Sequence, residues 1–316
     1  MANNMNRYGY CCINLTLSAE NITTNRTMRE ATFRERGLAY VSQIAKKNCT
    51  DLAKIIKWNE DNGIKVFRVS SEIFPWASEY EFDELPDIAD IRKILSDAGD
   101  YAKSVDQRLS FHPGPFNVLG SKNDRVVQKT LKELRFHSEI MDMLNQPQSP
   151  QAKINIHVGG AYGNREAAAE SWCNNFALLP ESVQKRITIE NDDKSSMFST
   201  KMLYEWVYKR VNVPIVFDSH HFECGPQDSS YAEAFEMAFS TWPDGIRPMC
   251  HHSNSRQWED ASAPKAAHSD YYYKGFDSRG KDVDVALECK AKELGLKKFI
   301  TDFQNTSTLM ARYMRF

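Results

Sequence analysis

The sequence predicts one α/β domain folded as a TIM (β/α)8 barrel with a metal cluster at the C-terminal strand ends. Three observations carry that expectation: β-type and amphipathic segments alternate from end to end, eight β-type runs can be counted, and most of those runs end on a metal-ligand type of residue. The runs are Tyr8 to Asn14, Val66 to Val69, Arg108 to His112, Ile154 to His157, Ile187 to Glu190, Ile215 to Asp218, Arg247 to His251 and Val283 to Glu288. Between them Arg36 to Asn62, Ile88 to Val105, Asp124 to Leu144 and Arg165 to Leu178 carry apolar residues at three- and four-residue spacing, as helices packed on a barrel do. Such alternation is the mark of repeated βα units around a parallel sheet.

No linker, low-complexity run or composition break divides the 316 residues, so a single domain over 1–316 is expected. The stretch from Asn254 to Gly280 is long and polar and reads as an extended loop on the functional face. About 294–316 is expected to form a docked helix or a covering tail. The formal net charge is -2, so there is no global basic field and phosphate binding must be local. Seven dispersed cysteines without a CxxC pair indicate a reducing compartment. No apolar run reaches the length of about 18 residues that a membrane span requires, and the Asn-rich start lacks a signal peptide's apolar core. A cytoplasmic monomer with no membrane partner is the expectation.

His112, His157, Glu190, Asp218, His251 and Glu288 close the third to the eighth runs. In a parallel barrel all C-terminal strand ends share one face, so these side chains converge in one mouth. His221, three residues past Asp218, and His268, in the loop after the seventh strand, join them. A mixed imidazole and carboxylate set suits Mn or Zn, with Mg a further candidate, and eight ligands exceed the needs of one ion. Two or three divalent ions are therefore expected, with Glu190 bridging. His112, His157, Glu190, Asp218 and Glu288 are the candidate catalytic residues. His137, in the middle of a helix, reads as structural, and alternation turns His220 and His252 away from the mouth.

In order along the chain, several segments resemble the ultraviolet damage endonuclease family (UvdE/UvsE), which is related in fold to endonuclease IV. They are Tyr8-Gly9-Tyr10 with Asn14 to Leu17, Thr24 to Thr27, Phe67-Arg68 and Phe74 to Ser78. Arg108 to Gly114, His157 to Gly163, Glu190-Asn191-Asp192, Asp218 to His221 and Glu288 to Glu293 complete the match. The resemblance implies an ATP-independent repair endonuclease acting on damaged double-stranded DNA. It would hydrolyse the phosphodiester immediately 5′ to ultraviolet photoproducts, and at some abasic sites, leaving a 3′-hydroxyl. It further implies three divalent metals, often Mn. His112, His157 and Glu190 would form one site, Glu190, Asp218, His251 and Glu288 a second, and His221 with His268 the third. Closely spaced cations neutralise a phosphodiester and activate a bound hydroxide for in-line attack, which is the expected mechanism.

Two sites, a pair and a single residue, depart from the family's pattern. Pro115-Phe116 stands where well-known members carry Gln-Tyr, the pair that probes the damaged bases. Phe116 can still act as an apolar wedge, whereas Pro115 offers no side-chain amide or N–H donor, so recognition should rest on the ease of unstacking a lesion. Met249 stands where those members carry a Lys that becomes carboxylated and joins the metals, which predicts a weaker third ion. Tyr10, Asn14 and Lys290 are further candidates for contact with DNA. Arg26, Lys122, Lys265, Lys274 and Lys292 are candidate phosphate contacts, and Trp76 a candidate for the lesion pocket or the rim. Competing expectations are an abasic-site endonuclease of the endonuclease IV type and, less favoured because fewer metals serve it, a metal-dependent sugar isomerase or epimerase.

Overall fold

Residues 6–304 are described by a computed structural model of the chain. Eight parallel strands, β1 (Arg7–Cys11), β2 (Val66–Arg68), β3 (Arg108–Ser110), β4 (Ile154–Ile156), β5 (Ile187–Glu190), β6 (Ile215–Asp218), β7 (Met249–His252) and β8 (Asp284–Leu287), are hydrogen-bonded in the order β3-β2-β1-β8-β7-β6-β5-β4. The ring closes between β3 and β4 through Phe111, whose N–H donates to the Lys153 carbonyl at 2.9 Å and whose own carbonyl accepts from Asn155 N–H at 2.9 Å. The expected (β/α)8 barrel is thus present.

Strand alternation sorts the side chains into two cores. Tyr10, Phe67, Phe111, Ile154, Ile189, Ile215 and Phe217 point outward and pack against the helices in the main core. Val66, Val216 and Met249 point inward and form a small separate cluster with Trp242. Met249 is therefore buried apolar filling, below the level of the mouth.

The helices follow the predicted periodicity. After a short helix at Leu15–Ser18, the first long one runs Glu30–Asp61, but Gly37 interrupts it at φ 60°, ψ -163°, so the regular part matches the segment expected after Arg36. Ile88–Ser104, Asp124–Met143 and Arg165–Phe176 come next, the last two begun by the side chains of Asn123 and Asn164. The helical stretch from Thr200 to Val211 contains a π turn over Tyr204–Tyr208 that periodicity does not foreshadow. Tyr231–Phe239 starts with a capping box of Ser230 and Glu233. The chain is described through Lys292–Phe299 and a π turn to Gln304, so part of the expected tail is a docked helix and the remainder lies outside the described residues.

Two ties hold the loops of the mouth. Glu293, fully buried, accepts from Leu15 N–H (2.8 Å), Thr16 N–H (2.7 Å) and the Thr16 hydroxyl (2.9 Å), joining the loops after β8 and β1. The long loop after β7 is pinned on itself by an antiparallel bridge between Ser255 and His268. Among the described residues no helix is long and apolar enough to cross a membrane.

Candidate metal centre

Glu190 ends β5 at the centre of the mouth with 1% of its surface exposed. His112 Nε2 and His251 Nδ1 each approach its Oε2 at 3.1 Å, and His157 Nε2 lies 4.0 Å from the same oxygen. His221 Nδ1 is 3.2 Å from Oε1. Two groups of donor atoms fall within 4.8 Å of one another, His112–His157–Glu190 and Glu190–Asp218–His251, and Glu190 belongs to both. Glu288 is 3.1 Å from His251 Nδ1 and is gripped by Arg68 Nη1. His221 and His268 stand beside this set with ring centroids 6.4 Å apart. The strand-end residues singled out in the sequence are therefore brought into one cluster.

The donors fit divalent cations. Asp218 uses Oδ1 to accept from the N–H groups of His220 (2.7 Å) and His221 (2.8 Å), while its buried Oδ2 has no hydrogen-bond partner. Glu190 Oε1 and His251 Nδ1 are likewise buried without one. Glu190 and Asp218, both buried, gather here with the part-buried Glu288 beside the guanidinium of Arg68, a convergence of carboxylates that suits a cation. Imidazole nitrogen with carboxylate oxygen is the ligand mixture that Zn and Mn accept.

Four of the five imidazoles in the cluster are also held from behind. Nδ1 of His112 faces the Pro113 carbonyl at 3.3 Å, that of His221 the Asn191 carbonyl at 2.9 Å, and that of His268 the Glu288 carbonyl at 2.7 Å. His157 Nδ1 faces Asp192 Oδ1 at 3.0 Å. Glu190 is oriented by the Asn155 amide, which in turn accepts from the Thr188 hydroxyl at 2.8 Å. Asn191 braces β5 to β6 by exchanging two 2.9 Å hydrogen bonds with the Asp218 backbone. Such outer contacts fix tautomer and ring direction.

The electrostatics are those of a tightly coupled cluster. Burial alone would raise the Glu190 carboxyl, but His251, His112 and His221 hold it well below the usual range. Glu288 is held low in spite of burial by Arg68 and His251. Burial pushes His112 down to about 4 despite Glu190. For His157 the opposite holds, since contact with Asp192 and the charge of Glu190 outweigh burial and raise it. His221 is also raised, burial being overcome by Asp218 and Glu190.

A model of the UV-endonuclease UvdE family matches residues 6–313 of this sequence. The chain belongs to the UvdE family. A putative UV-damage endonuclease of Acanthamoeba polyphaga mimivirus is 30% identical over 98% of this chain and 94% of its own length. The crystal structure of SacUVDE superposes with a TM-score of 0.82 at 28% identity, covering 96% of this chain and 99% of that one. The 3-keto-D-glucoside 4-epimerase YcjR of E. coli also superposes, with a TM-score of 0.56 over 96% of this chain and 100% of its own, but at 7% identity that likeness concerns the barrel alone.

Within this UvdE barrel two expected DNA contacts are elsewhere. β1 ends at Cys11, so Tyr10 points outward, fully buried, with its hydroxyl donating to Asn59 Oδ1 at 2.7 Å. Asn14 is also fully buried; its Oδ1 accepts from Leu17 N–H at 2.8 Å and its amide donates to the Tyr10 hydroxyl at 2.8 Å. Both hold the first βα connection and neither faces the mouth. Arg26 is committed too, to the buried Asp51 at 2.8 Å. Lys265 and Lys274 lean on Glu223, Lys122 lies over the Tyr162 ring, and Lys290 is exposed. Trp76 donates to the Met28 carbonyl and stacks on Phe33.

Pro115 borders a cleft of about 360 Å³ beside the cluster, lined also by Val118, His157, Asp192, Met197 and His221. Phe116, the next residue, is 89% exposed. His137 is buried with Nδ1 against the Glu133 carbonyl, and His252 is held by Ser219 and the Lys274 carbonyl, so both are structural; His220 faces the Ala266 carbonyl. Sequence reasoning missed Arg68, Asp192, Asn155 and Lys153. The first two sit in segments the family shares, at the end of β2 and two residues past Glu190, and strand-end position was signal enough for Arg68.

Proposed function

We propose that this UvdE family member is a metal-dependent DNA repair endonuclease that cuts the phosphodiester immediately 5′ to ultraviolet photoproducts, and at some abasic sites, leaving a 3′-hydroxyl. The observation that carries the reading is Glu190, one buried carboxylate shared by two donor groups at the barrel mouth. His112, His157 and Glu190 would hold one cation, and Glu190, Asp218, His251 and Glu288 a second. His221 with His268 would hold a third, the weakest. Mn suits this mixture, and Zn or Mg are the alternatives.

Bound divalent cations would supply the charge that offsets the phosphodiester's own and acidify the attacking water. The chain's residues supply the frame for that chemistry. Asn155 and Thr188 keep Glu190 turned into the mouth, and Arg68 steadies Glu288. No side chain is proposed to become covalently attached to DNA. Phe116, exposed and next in sequence to the cleft-lining Pro115, would enter a weakened base step as an apolar wedge. Photoproducts and abasic sites lower the cost of unstacking, so a wedge without hydrogen-bonding groups can select them.

The test is to map the cut on two duplexes, one with a single thymine dimer and one with a single abasic site, with Mn, with Mg and with chelator. A nick 5′ to the dimer that requires a divalent ion is expected. Cutting of the abasic duplex alone would favour an abasic-site endonuclease, and cutting of neither would overturn the reading.

A further inference from the structure

The cleft beside the cluster has His157 and His221 in its wall, and Lys194 is the one lysine or arginine among its described lining residues. The Lys194 side chain is exposed, and its amine makes no hydrogen bond or ion pair with any described residue. Lys122, Lys265 and Lys274, on the same face of the barrel, are each engaged.

The backbone that carries this free amine is fixed. Asp192 N–H donates to the Phe198 carbonyl at 2.9 Å and Asp192 Oδ2 accepts from Phe198 N–H at 3.2 Å, which closes the loop after β5. Inside it Met197 N–H donates to the Lys194 carbonyl at 2.9 Å, and Arg165 ties the Met197 carbonyl to the neighbouring helix at 3.1 Å. Seating the amine on a ligand therefore costs side-chain freedom and little else.

The lining also includes Gly159 and Gly160, whose N–H groups have no partner among the described residues. Position 159 admits only glycine: φ is 97°, and a Cβ there would stand 2.2 Å from Val118 Cγ1. Unpaired main-chain N–H groups and a free ammonium in one cleft suit an anion. Of the two carboxylates in the wall, Asp192 is taken up by His157 and Phe198 N–H, and the charge of Lys194 offsets the other, Asp193.

A DNA strand carries a phosphate about every 3.4 Å of helix axis, so a strand whose scissile phosphate lies on the cluster carries its neighbours over the adjoining cleft. We propose that Lys194 binds one of those neighbouring phosphates of the cut strand, with the Gly159-Gly160 turn as a second donor. The assignment rests on the endonuclease reading. With a net charge of -2 the chain has no general attraction for DNA, so a local contact of this kind carries more of the binding.

The experiment measures binding of the full-length protein, with Mn, to a duplex that holds one thymine dimer and is already nicked 5′ to it. Fluorescence anisotropy is read from about 50 to about 200 mM salt. Wild type is compared with Lys194→Gln, Lys194→Arg and Lys185→Gln, the last at a lysine that pairs with Glu181 just before β5, at the floor end. Lys194→Gln is expected to weaken binding about 10-fold at the lowest salt and to lower the slope of log affinity against log salt by about 0.9. Lys194→Arg should keep both near wild type, and Lys185→Gln should change neither. Methylphosphonates placed one at a time along the cut strand should reveal one position beside the nick that weakens wild type and leaves Lys194→Gln unaffected. An unchanged slope in Lys194→Gln overturns the proposal, as does an equal fall in Lys185→Gln or a scan in which no position separates wild type from Lys194→Gln. Wild type that neither binds this duplex nor cuts the intact one overturns the endonuclease reading itself.

Discussion

At the N-terminal floor of the barrel, the fully buried Asp284 meets three guanidiniums. Arg7 donates to both its oxygens at 2.7 Å, Arg108 to Oδ2 at 3.0 Å, and Arg247 lies 3.9 Å from Oδ1. Arg108 spends its other donors on the carbonyls of Gln151, Arg247 and Pro150. At the opposite end Glu190, Asp218 and His251 are equally buried, yet each keeps an atom with no hydrogen-bond partner. The two ends hold similar chemistry for different purposes. A closed network spends its charge on the fold, while an open one keeps charge in reserve for something that is not protein.

This contrast can be broken by substitution at either end. Glu190→Gln should lower cutting of a single-photoproduct duplex by on the order of 10⁴-fold, whereas the metal-free protein should still fold, since Gln keeps the side chain's shape and an oxygen for the Asn155 amide. Failure of the metal-free variant to fold would place Glu190 in the fold rather than in the site. Asp284→Asn should do the reverse. Removing one partner of a fully buried ion network costs about 3–5 kcal/mol, measurable by denaturant unfolding, while the number of Mn ions bound by the folded fraction stays the same.

Subtler changes sharpen the picture. Asp192→Asn removes the charge behind His157 and should weaken Mn binding by about 10- to 100-fold, read by equilibrium dialysis. His157 and His221 are raised above the ordinary imidazole value by the carboxylates beside them, so protonation of either competes with a cation. Mn binding should therefore release protons, seen as a dependence of calorimetric heat on buffer ionisation enthalpy, and should tighten as pH rises through the imidazole range. Phe116→Ala should change stability by less than about 0.5 kcal/mol, because the ring is exposed, and should slow cutting at the photoproduct more than at an abasic site.

Much of the mouth was legible in the sequence because strand ends and residue chemistry coincide there. A His or carboxylate closing a β-type run of a parallel barrel has one place to go, and six such residues reached it. Tyr10 and Asn14 were misplaced for the same geometric reason. No ligand closes β1 to fix its parity, and with the strand ending at Cys11 the inward residues are Gly9 and Cys11, not the tyrosines. Arg68 lay at a strand end but is not a ligand type, so a search for ligands passed over it. Lys153 and Asn155 lie at and below the level of strand pairing, and their contacts to β7 and β5 depend on barrel closure, which no local pattern records. Asp192 required knowing that the chain turns back after β5 to face His157.

The most direct test of the open mouth is to strip the protein with chelator and measure Mn binding at equilibrium for wild type, Glu190→Gln and Asp284→Asn side by side. The account predicts at least two ions in wild type, loss of binding in Glu190→Gln and full binding in Asp284→Asn. Wild type that retains no ion, or a Glu190→Gln protein that binds as wild type does, would contradict it.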